Sequence, residues 1–420
     1  LMHPSCIPGG RVCGTFGRGA KEWIKKLHKH GIEYWQILPL NPTDSTGSPY
    51  SSPSSFALNP WFLDQNDLVR DGFLANNLED FSSANDCFKN RVDFHLANSK
   101  VKSLRFSLVD DWYKQNRTVQ EEFEIWCSKQ FWLDDHSIFM ELKIQNNDLP
   151  WWEWPDKYSV RDKKELANWK KNNLRELLGH NLLQWHLDRQ WKSIRKLAKN
   201  LGILLFGDVP FYVSKDSADV WGNRSLFSIL TNSDTFLQSG VPPDYFSETG
   251  QLWGNPVYRW SRHKASRYRW WRKRISRHLE QVDFLRLDHF RALEAFWAIP
   301  GKDKTAENGF WLPSPGREIL RLIKNDCSGL LPLVAEDLGL ITSKVEKLRD
   351  DYELAGMKIL QFAFDGNLDN PYLPENIKEE NWIVYTGTHD NSTSLGSVSY
   401  THLRAHETKA NLVCRLLLEK

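Results

Sequence analysis

The sequence predicts an α/β fold of the (β/α)8 barrel type. Short apolar runs recur along the chain with longer amphipathic segments between them, which is the pattern of buried parallel strands that alternate with helices. Four of these runs lead into a carboxylate, namely Asp208, Asp288, Glu336 and Asp390. The C-terminal strand ends form the active-site face of such a barrel. Four carboxylates in succession therefore indicate chemistry rather than the turn capping that would explain any single one.

The predicted elements follow one another in barrel order. Leu1–Pro4 is interpreted as the remainder of a first strand, Lys21–His30 as a helix closed by Gly31, and Tyr34–Leu40 as a second strand. The Trp-rich segment from about 61 to 200 is too long for one barrel connection and is predicted to be a largely helical insertion. Further strands are predicted at the apolar runs near Ile203, Val282, Leu331, Lys358 and Trp382. Residues 1–397 are thus expected to form one catalytic barrel that is truncated before its last unit.

The segment 398–420 resembles translated adapter DNA rather than a natural protein end. Val398–Thr408 is similar to the translation of a transposase-type sequencing adapter, and Asn411–Lys420 to that of the primer that follows such an adapter. A natural amphipathic helix over Leu412–Leu418 is the alternative. We expect the authentic chain to stop near Ser397. The segment carries four basic and two acidic side chains, so without it the formal net charge of +2 becomes zero.

The composition argues against several classes of protein. The mean hydropathy is −0.55, and no apolar run approaches the roughly 20 residues that span a bilayer, so no membrane partner is expected. Basic and acidic residues are nearly balanced, so the sequence lacks the excess of positive charge that is typical of nucleic-acid-binding proteins. The six cysteines lack zinc spacing and no phosphate-binding loop is present, so neither a metal nor a cofactor is expected. Scattered cysteines without a secretory signal favour the cytoplasm, or a plastid if the source is a plant or alga.

Paired carboxylates on either side of a glycosidic bond are the usual equipment for glycoside chemistry. One must be ionised to attack the anomeric carbon, and the other must be protonated to assist the leaving oxygen. A separation of about 5–5.5 Å gives a covalent intermediate and retention, whereas a wider one gives inversion, and the sequence leaves this distance open.

Arg286 precedes Asp288 by two residues on a strand, so both face the same side and Arg286 should lower the pKa of Asp288. A plain structural ion pair is the alternative. The 20 Trp residues suggest sugar stacking, although core packing accounts for most of them.

Several motifs resemble the amylomaltase (disproportionating) type of 4-α-glucanotransferase, glycoside hydrolase family 77, a relative of the α-amylases. The resemblance runs from His3 to the end of the authentic chain, and Pro-Pro-Asp-Tyr-Phe, residues 242–246, is its most specific segment. The other motifs are Tyr34–Leu40, Ser48–Ser52, Gly207–Phe211, Asp216–Trp221, Arg286–Arg291, Ala335–Gly339 and Tyr385–Asn391. Two departures are the Trp expected after Gly396, which is Ser397 here, and the C-terminal segment that completes the barrel in the family.

The resemblance implies roles for the strand-end carboxylates. Asp288 would be the nucleophile, Glu336 the general acid/base and Asp390 the stabiliser of the distorted sugar. His389 would donate to a sugar hydroxyl and Asp208 would support a substrate subsite, with structural roles as the alternative for both.

The resemblance also implies that the loop Val241–Gln251 covers the cleft and keeps water from the reaction. Its Asp244, with Tyr245 and Phe246, would offer sugar contacts. Trp253 and Tyr50 would be stacking platforms, and Ser48 completes the expected binding set. For each of these residues ordinary packing is the alternative.

The predicted activity is retaining transfer of an α-1,4-glucan segment from a maltooligosaccharide to the 4-hydroxyl of another glucan or of glucose. Starch- and glycogen-derived glucans would be the substrates. An amylase-like hydrolase is the nearest rival because it would use the same carboxylates with water. A catalytically silent glucan-binding protein is a second rival, and it would have no reason to keep all three carboxylates. Oligomeric state is left open, and we expect the parent protein to be active and the truncated chain to be inactive or only poorly stable.

Overall fold

The computed structural model describes residues 1–8, 12–76, 92–244, 247–339, 341–378 and 380–397. The segment 398–420, together with Tyr245 and Phe246, lies outside the described residues. The chain divides into two compact units, Leu1–Leu333 and Val334–Lys420. Within the described residues, no helix is both long enough and apolar enough to cross a membrane.

The first unit contains strands, helices and short 3-10 turns. Its strands are β1 Tyr34–Gln36, β2 Leu204–Val209, β3 Leu237–Val241, β4 Gln251–Pro256, β5 Phe284–Leu287, β6 Ala295–Pro300 and β7 Phe310–Pro313. Its helices are α1 Arg18–Lys29, α2 Gln65–Arg70, α3 Phe94–Trp112, α4 Arg117–Lys129, α5 Leu133–Gln145, α6 Asp156–Ser159, α7 Lys163–Asn172, α8 Leu174–Asn200, α9 Ala218–Gly222, α10 Trp260–Ala265, α11 Arg269–Leu279 and α12 Gly316–Asp326.

Parallel strands β1, β2 and β5 form the buried sheet of the first unit. β2 lies between the other two, with Gln36 opposite Phe206 and Asp208 opposite Arg286. The long helix α8 precedes β2 and α11 precedes β5, so helices alternate with parallel strands as the sequence predicts. Nearly every residue of β2 is buried, because helices cover such a sheet on its faces. The α/β class is therefore confirmed.

The predicted first strand is absent as a strand. Pro4 begins a 3-10 turn, Pro4–Cys6, because proline fixes its own backbone angle and has no N–H to donate to a ladder. The segment before it nevertheless runs beside β1. Met2 N donates to Gln36 O at 3.0 Å, and Trp35 Nε1 donates to Met2 O at 2.7 Å. The first helix matches its prediction more closely, and Gly31 follows it with a φ of +66°.

The helices α2 to α8 occupy the segment predicted as an insertion. Two glutamines of α8 hold the loop that leads from β1 to α2, and each pairs with both backbone groups of one residue. Gln184 accepts from Leu58 N at 2.9 Å and donates to Leu58 O at 2.8 Å. Gln190 binds Asp64 in the same way, at 2.9 and 2.8 Å. This buried pairing fixes the loop that carries Tyr50.

An antiparallel sheet with strand order β4-β3-β6-β7 was not anticipated. Its edge strands contain Gly254 and two prolines and are half exposed, so they lack the continuous apolar run that signals a buried strand. β3 and β4 form a hairpin, and the predicted covering loop 241–251 is the connection between them.

Strand β8 begins at Leu333, the last residue of the first unit, and ends at Ala335 in the second. The second unit also contains β9 Gly356–Ile359, β10 Trp382–Tyr385 and helix α13 Ser343–Asp351. β9 and β10 pair in parallel, with Lys358 opposite Val384. Ala335 N donates to Ala355 O at 2.8 Å, which places the end of β8 beside the start of β9. All three strands occur where apolar runs predict them.

Candidate active site

A buried arginine joins two aspartates at the ends of β2 and β5. Arg286 Nη1 donates to both carboxylate oxygens of Asp208, at 2.9 and 2.8 Å, and Arg286 Nη2 lies 2.8 Å from Asp288 Oδ1. The side chains of Asp208 and Arg286 are 1% and 4% exposed, whereas that of Asp288 is 30% exposed. The contact predicted between Arg286 and Asp288 is present. Asp208 shares the guanidinium, so one cation holds a buried carboxylate and an accessible one together.

Tyr50 completes the buried side of this cluster. Its hydroxyl donates to Asp208 Oδ2 at 2.6 Å. Burial and then the charge of Asp208 raise the pKa of Tyr50 well above its ordinary value, although Arg286 acts in the opposite direction. The phenol therefore remains protonated and keeps donating to Asp208. Ser48 lies two residues earlier and accepts from Tyr50 N at 3.3 Å, so it shapes the turn that presents Tyr50.

His289 is a site residue that sequence reasoning did not single out. It has a left-handed backbone, with φ +51° and ψ +47°, and its ring centroid lies 4.8 Å from that of Trp253 at an interplanar angle of 81°. The ring centroid of Tyr212 lies 6.4 Å from that of His289 and 6.1 Å from that of Trp253. Burial, with the charge of Arg291, lowers the pKa of His289 to about 3, so its ring is neutral near pH 7. The available signal was its position directly after Asp288.

Trp253 is 37% exposed, and its ring is available beside the segment that carries Asp288. Asp244, by contrast, is engaged in its own turn. Its Oδ1 accepts from Ser247 N at 2.9 Å, and its backbone N donates to Ser247 O at 3.0 Å. The sugar contact predicted for Asp244 remains a prediction, and the geometry gives this residue a turn-forming role.

Glu336 lies directly after β8 in the second unit. It is half-buried, and its Oε1 accepts from Leu338 N at 3.1 Å. The next residue, Asp337, is buried and anchors this turn by accepting from Arg349 Nη1 at 2.5 Å and from Met357 N at 2.8 Å. Burial and the charges of Asp337 and Glu336 raise the pKa of Tyr372. An anchored neighbour thus fixes the position of the less buried Glu336.

Asp390 belongs to a tight turn five residues after β10. Its side chain is 70% exposed, and its Oδ1 lies 3.5 Å from His389 Nε2. Asn391 Oδ1 accepts from both Thr388 N and Thr388 Oγ1, at 2.8 and 2.9 Å, which stabilises the turn. Gln361 also donates to Ser392 O at 2.9 Å. The exposed carboxylate of Asp390 therefore extends from a backbone that these hydrogen bonds hold in place.

The structure brings Tyr50, Asp208, Arg286 and Asp288 into one cluster of the first unit, with Trp253 beside the adjoining His289. In the second unit it pairs His389 with Asp390, while Glu336 follows a separate strand. Among the described residues, no group of three His, Cys, Asp or Glu side chains has an arrangement that could hold a metal ion.

Replacement of Arg286 by methionine should destabilise the fold and reduce activity. Arg286→Met would leave Asp208 buried without its cation, and loss of one partner of a buried pair costs about 3–5 kcal/mol in the free energy of unfolding. Urea unfolding would measure this loss. Arg272→Met is the matched control because the pair Arg272–Asp326 lies at the surface, where an ion pair contributes less than about 1 kcal/mol. Equal losses in the two variants would contradict a special role for the buried pair.

Comparison with known proteins places these features in a family. A family model described as 4-alpha-glucanotransferase, glycoside hydrolase family 77, matches residues 2–417. The 4-alpha-glucanotransferase of Synechocystis sp. is 41% identical over 400 residues, which cover 94% of this chain and 79% of that protein. The 4-alpha-glucanotransferase of Thermus thermophilus is 40% identical over 399 residues, which cover 94% of this chain and 78% of that protein.

Solved structures give the same result. Amylomaltase from Streptococcus agalactiae, in complex with acarbose, superposes with a TM-score of 0.87 at 33% identity and covers 97% of this chain and 84% of that chain. Amylomaltase from Corynebacterium glutamicum, with a TM-score of 0.75 at 17% identity over 96% of this chain and 56% of that chain, shows the shared fold alone. Since the family model and these relatives each match almost the whole chain, the protein belongs to the 4-alpha-glucanotransferases, the enzymes of glycoside hydrolase family 77.

Proposed function

We propose that this chain transfers segments of α-1,4-glucan between maltooligosaccharides with retention of configuration, and that Asp288, Glu336 and Asp390 carry the chemistry. The observation that supports this most directly is the Arg286 pair. It holds Asp288 at the end of β5, partly exposed and within 2.8 Å of a buried cation. A nearby positive charge favours the ionised form of a carboxylate, which is the form that attacks an anomeric carbon.

In the first step, Asp288 forms a bond to the anomeric carbon of the donor while the glycosidic C–O bond breaks. Glu336 gives its proton to the departing oxygen, so the shortened glucan leaves with a free 4-hydroxyl. In the second step, Glu336 takes the proton from the 4-hydroxyl of an acceptor. That oxygen displaces Asp288, and the new bond has the original configuration because inversion occurs twice.

The remaining residues bind the sugar in this proposal. Asp390 accepts a hydrogen bond from a hydroxyl of the sugar ring whose anomeric carbon reacts, and His389 donates one to another hydroxyl of that ring. Both hydrogen bonds strengthen as the sugar ring flattens. Trp253 offers an exposed indole to the apolar face of a glucose ring, and the neutral His289 beside it can hydrogen-bond at the ring edge. Asp208 is buried and binds Arg286, and the half-buried Tyr50 donates to Asp208, so both act through Arg286. Ser48 and Asp244 shape the turns around the binding residues.

The acceptor is proposed to be a sugar rather than water. The β3–β4 hairpin lies against the segment that follows Asp288, since Trp253 of β4 contacts His289. A hairpin at this place reduces the access of water to the covalent intermediate until an acceptor glucan binds. We propose starch- or glycogen-derived glucans as the partners, and the cytoplasm or a plastid stroma as the location.

Incubation of the parent protein with maltotriose, followed by separation of the products by size, tests the proposal. Glucose together with a ladder of longer maltooligosaccharides is expected, because a transferred maltosyl unit lengthens another chain. Glucose and maltose without longer products would mean that water is the acceptor. Unchanged maltotriose would overturn both transfer and hydrolysis.

A further inference from the structure

The loop 301–309, which connects β6 to β7, is fixed near its start by backbone contacts. Gly301 N donates to Phe236 O at 2.9 Å. The buried Gln238 of β3 donates through Nε2 to Pro300 O at 3.1 Å and to Asp303 O at 2.9 Å. The loop is thus tied to β3, the first strand of the β3–β4 hairpin.

The middle of this loop bridges β6 to the far end of the same hairpin. Trp297 Nε1, on β6, donates to Ala306 O at 2.9 Å, and Ala306 N donates to Thr249 O at 3.0 Å. Ala306 is 0% exposed. Gly250 has a φ of +69°, and a Cβ at this position would lie 2.8 Å from Ala306 Cβ, so the hairpin backbone rests directly on the loop.

Trp297 also belongs to a row of contacting side chains that reaches the segment after Asp288. Its ring centroid lies 5.2 Å from that of Trp311, its register partner on β7. The guanidinium of Arg291 lies 4.0 Å from the ring centroid of Trp311, and Arg291 follows Asp288 by three residues. Residues 247–250 lead directly into β4. The ring of Trp253 on β4 contacts that of His289, with 4.8 Å between the ring centroids.

We propose that Trp297 is a positioning residue that holds the hairpin end 247–250 through Ala306, and so biases the reaction toward a sugar acceptor and away from water. This inference rests on the proposed function. The indole N–H of Trp297 donates to the loop at Ala306 O, and the amide of the same residue donates to Thr249 O. Without this hydrogen bond the loop and hairpin end gain freedom, and the placement of Trp253 beside His289 becomes less exact.

Trp297→Phe tests the proposal because it keeps an aromatic ring but removes the N–H donor. Trp311→Phe is the matched control. Phenylalanine at position 311 keeps an aromatic ring between Trp297 and Arg291, and within the described residues the indole N–H of Trp311 makes no hydrogen bond to the loop 301–309. The ratio of hydrolysis to transfer is measured with maltotriose. New reducing ends report hydrolysis, and products longer than maltotriose report transfer. Loss of one hydrogen bond should raise this ratio about fivefold in Trp297→Phe and leave it unchanged in Trp311→Phe.

Hydrogen exchange followed by mass spectrometry gives a readout that needs no activity. Peptides that contain Ala306 and residues 247–250 should exchange faster in Trp297→Phe than in the wild type or in Trp311→Phe. Equal loss of transfer and hydrolysis in Trp297→Phe, with an unchanged ratio, would overturn the proposal, as would unchanged exchange. If the wild type transfers no glucan, the proposed function fails, and the exchange result alone then decides whether Trp297 holds the hairpin.

Discussion

Asp288→Asn should reduce transfer from maltotriose by about 10⁴-fold or more, because the amide cannot form the glycosyl bond on which both steps depend. Asparagine has the same shape as aspartate, and its side-chain oxygen can still accept from Arg286. The loss should therefore appear in kcat with little change in the urea midpoint. A brief incubation of the wild type with substrate, followed by acid quenching, should give a protein species heavier by glycosyl units, and this species should be absent from the variant.

Asp283→Asn is the matched control for this experiment. Asp283 precedes the same strand at its opposite end, where it accepts from Leu205 N at 2.8 Å and lies 2.9 Å from Arg195 Nη2. Its replacement should affect stability more than kcat. If Asp288→Asn retained a tenth of the wild-type kcat, or if the glycosyl adduct mapped to another side chain, Asp288 would not be the nucleophile.

Glu336→Gln should lower transfer from maltotriose by about 10²- to 10⁴-fold, since general acid/base catalysis contributes this much. The loss should depend on the leaving group. An α-glycosyl fluoride needs no proton when fluoride departs, so formation of the glycosyl-enzyme from such a donor should remain fast. The covalent species should then accumulate, because no base activates the acceptor in the second step.

Glu346→Gln provides the comparison, since Glu346 is an exposed glutamate of the same unit, in the first turn of α13. Rates with both donors are measured for the two variants. An equal fall with maltotriose and with the fluoride donor in Glu336→Gln would indicate that Glu336 acts in some other way than by proton transfer.

The parallel strands could be predicted from their apolar runs, most clearly β2, β5 and β8, whose residues are largely buried. Such strands read as continuous apolar runs, and β2, β5, β8, β9 and β10 all begin within two residues of the positions that the runs predict. The antiparallel sheet could not be predicted in this way. Its edge strand β4 has exposed residues at Gln251 and Trp253, and glycine at position 254, so it lacks a strand signal of its own and its register depends on pairing with β3.

The cluster around Asp288 was predictable in part. Period-two alternation along β5 places Arg286 and Asp288 on one side, and the contact between them follows. The second bond of Arg286, to Asp208, depends on the register between β2 and β5, which the local sequence does not determine. The hydroxyl contact of Tyr50 and the ring contact of His289 also depend on tertiary placement. His289 further has a backbone conformation that is uncommon for a residue other than glycine.

The two glutamines of α8 have a consequence for how this protein can change in sequence. Gln184 and Gln190 recognise peptide groups, and every amino acid except proline offers the same N–H and C=O. These two contacts therefore do not depend on which side chain stands at position 58 or 64, whereas glutamate at 184 or 190 would bring an acceptor where a donor is required. The information that specifies this contact lies entirely on the helix. Substitutions at exposed positions of the loop would leave both contacts in place, whereas a single substitution on the helix would remove one of them. Leu58 and Asp64 also have roles of their own, since Leu58 is 0% exposed and Asp64 caps α2 by accepting from Asp67 N.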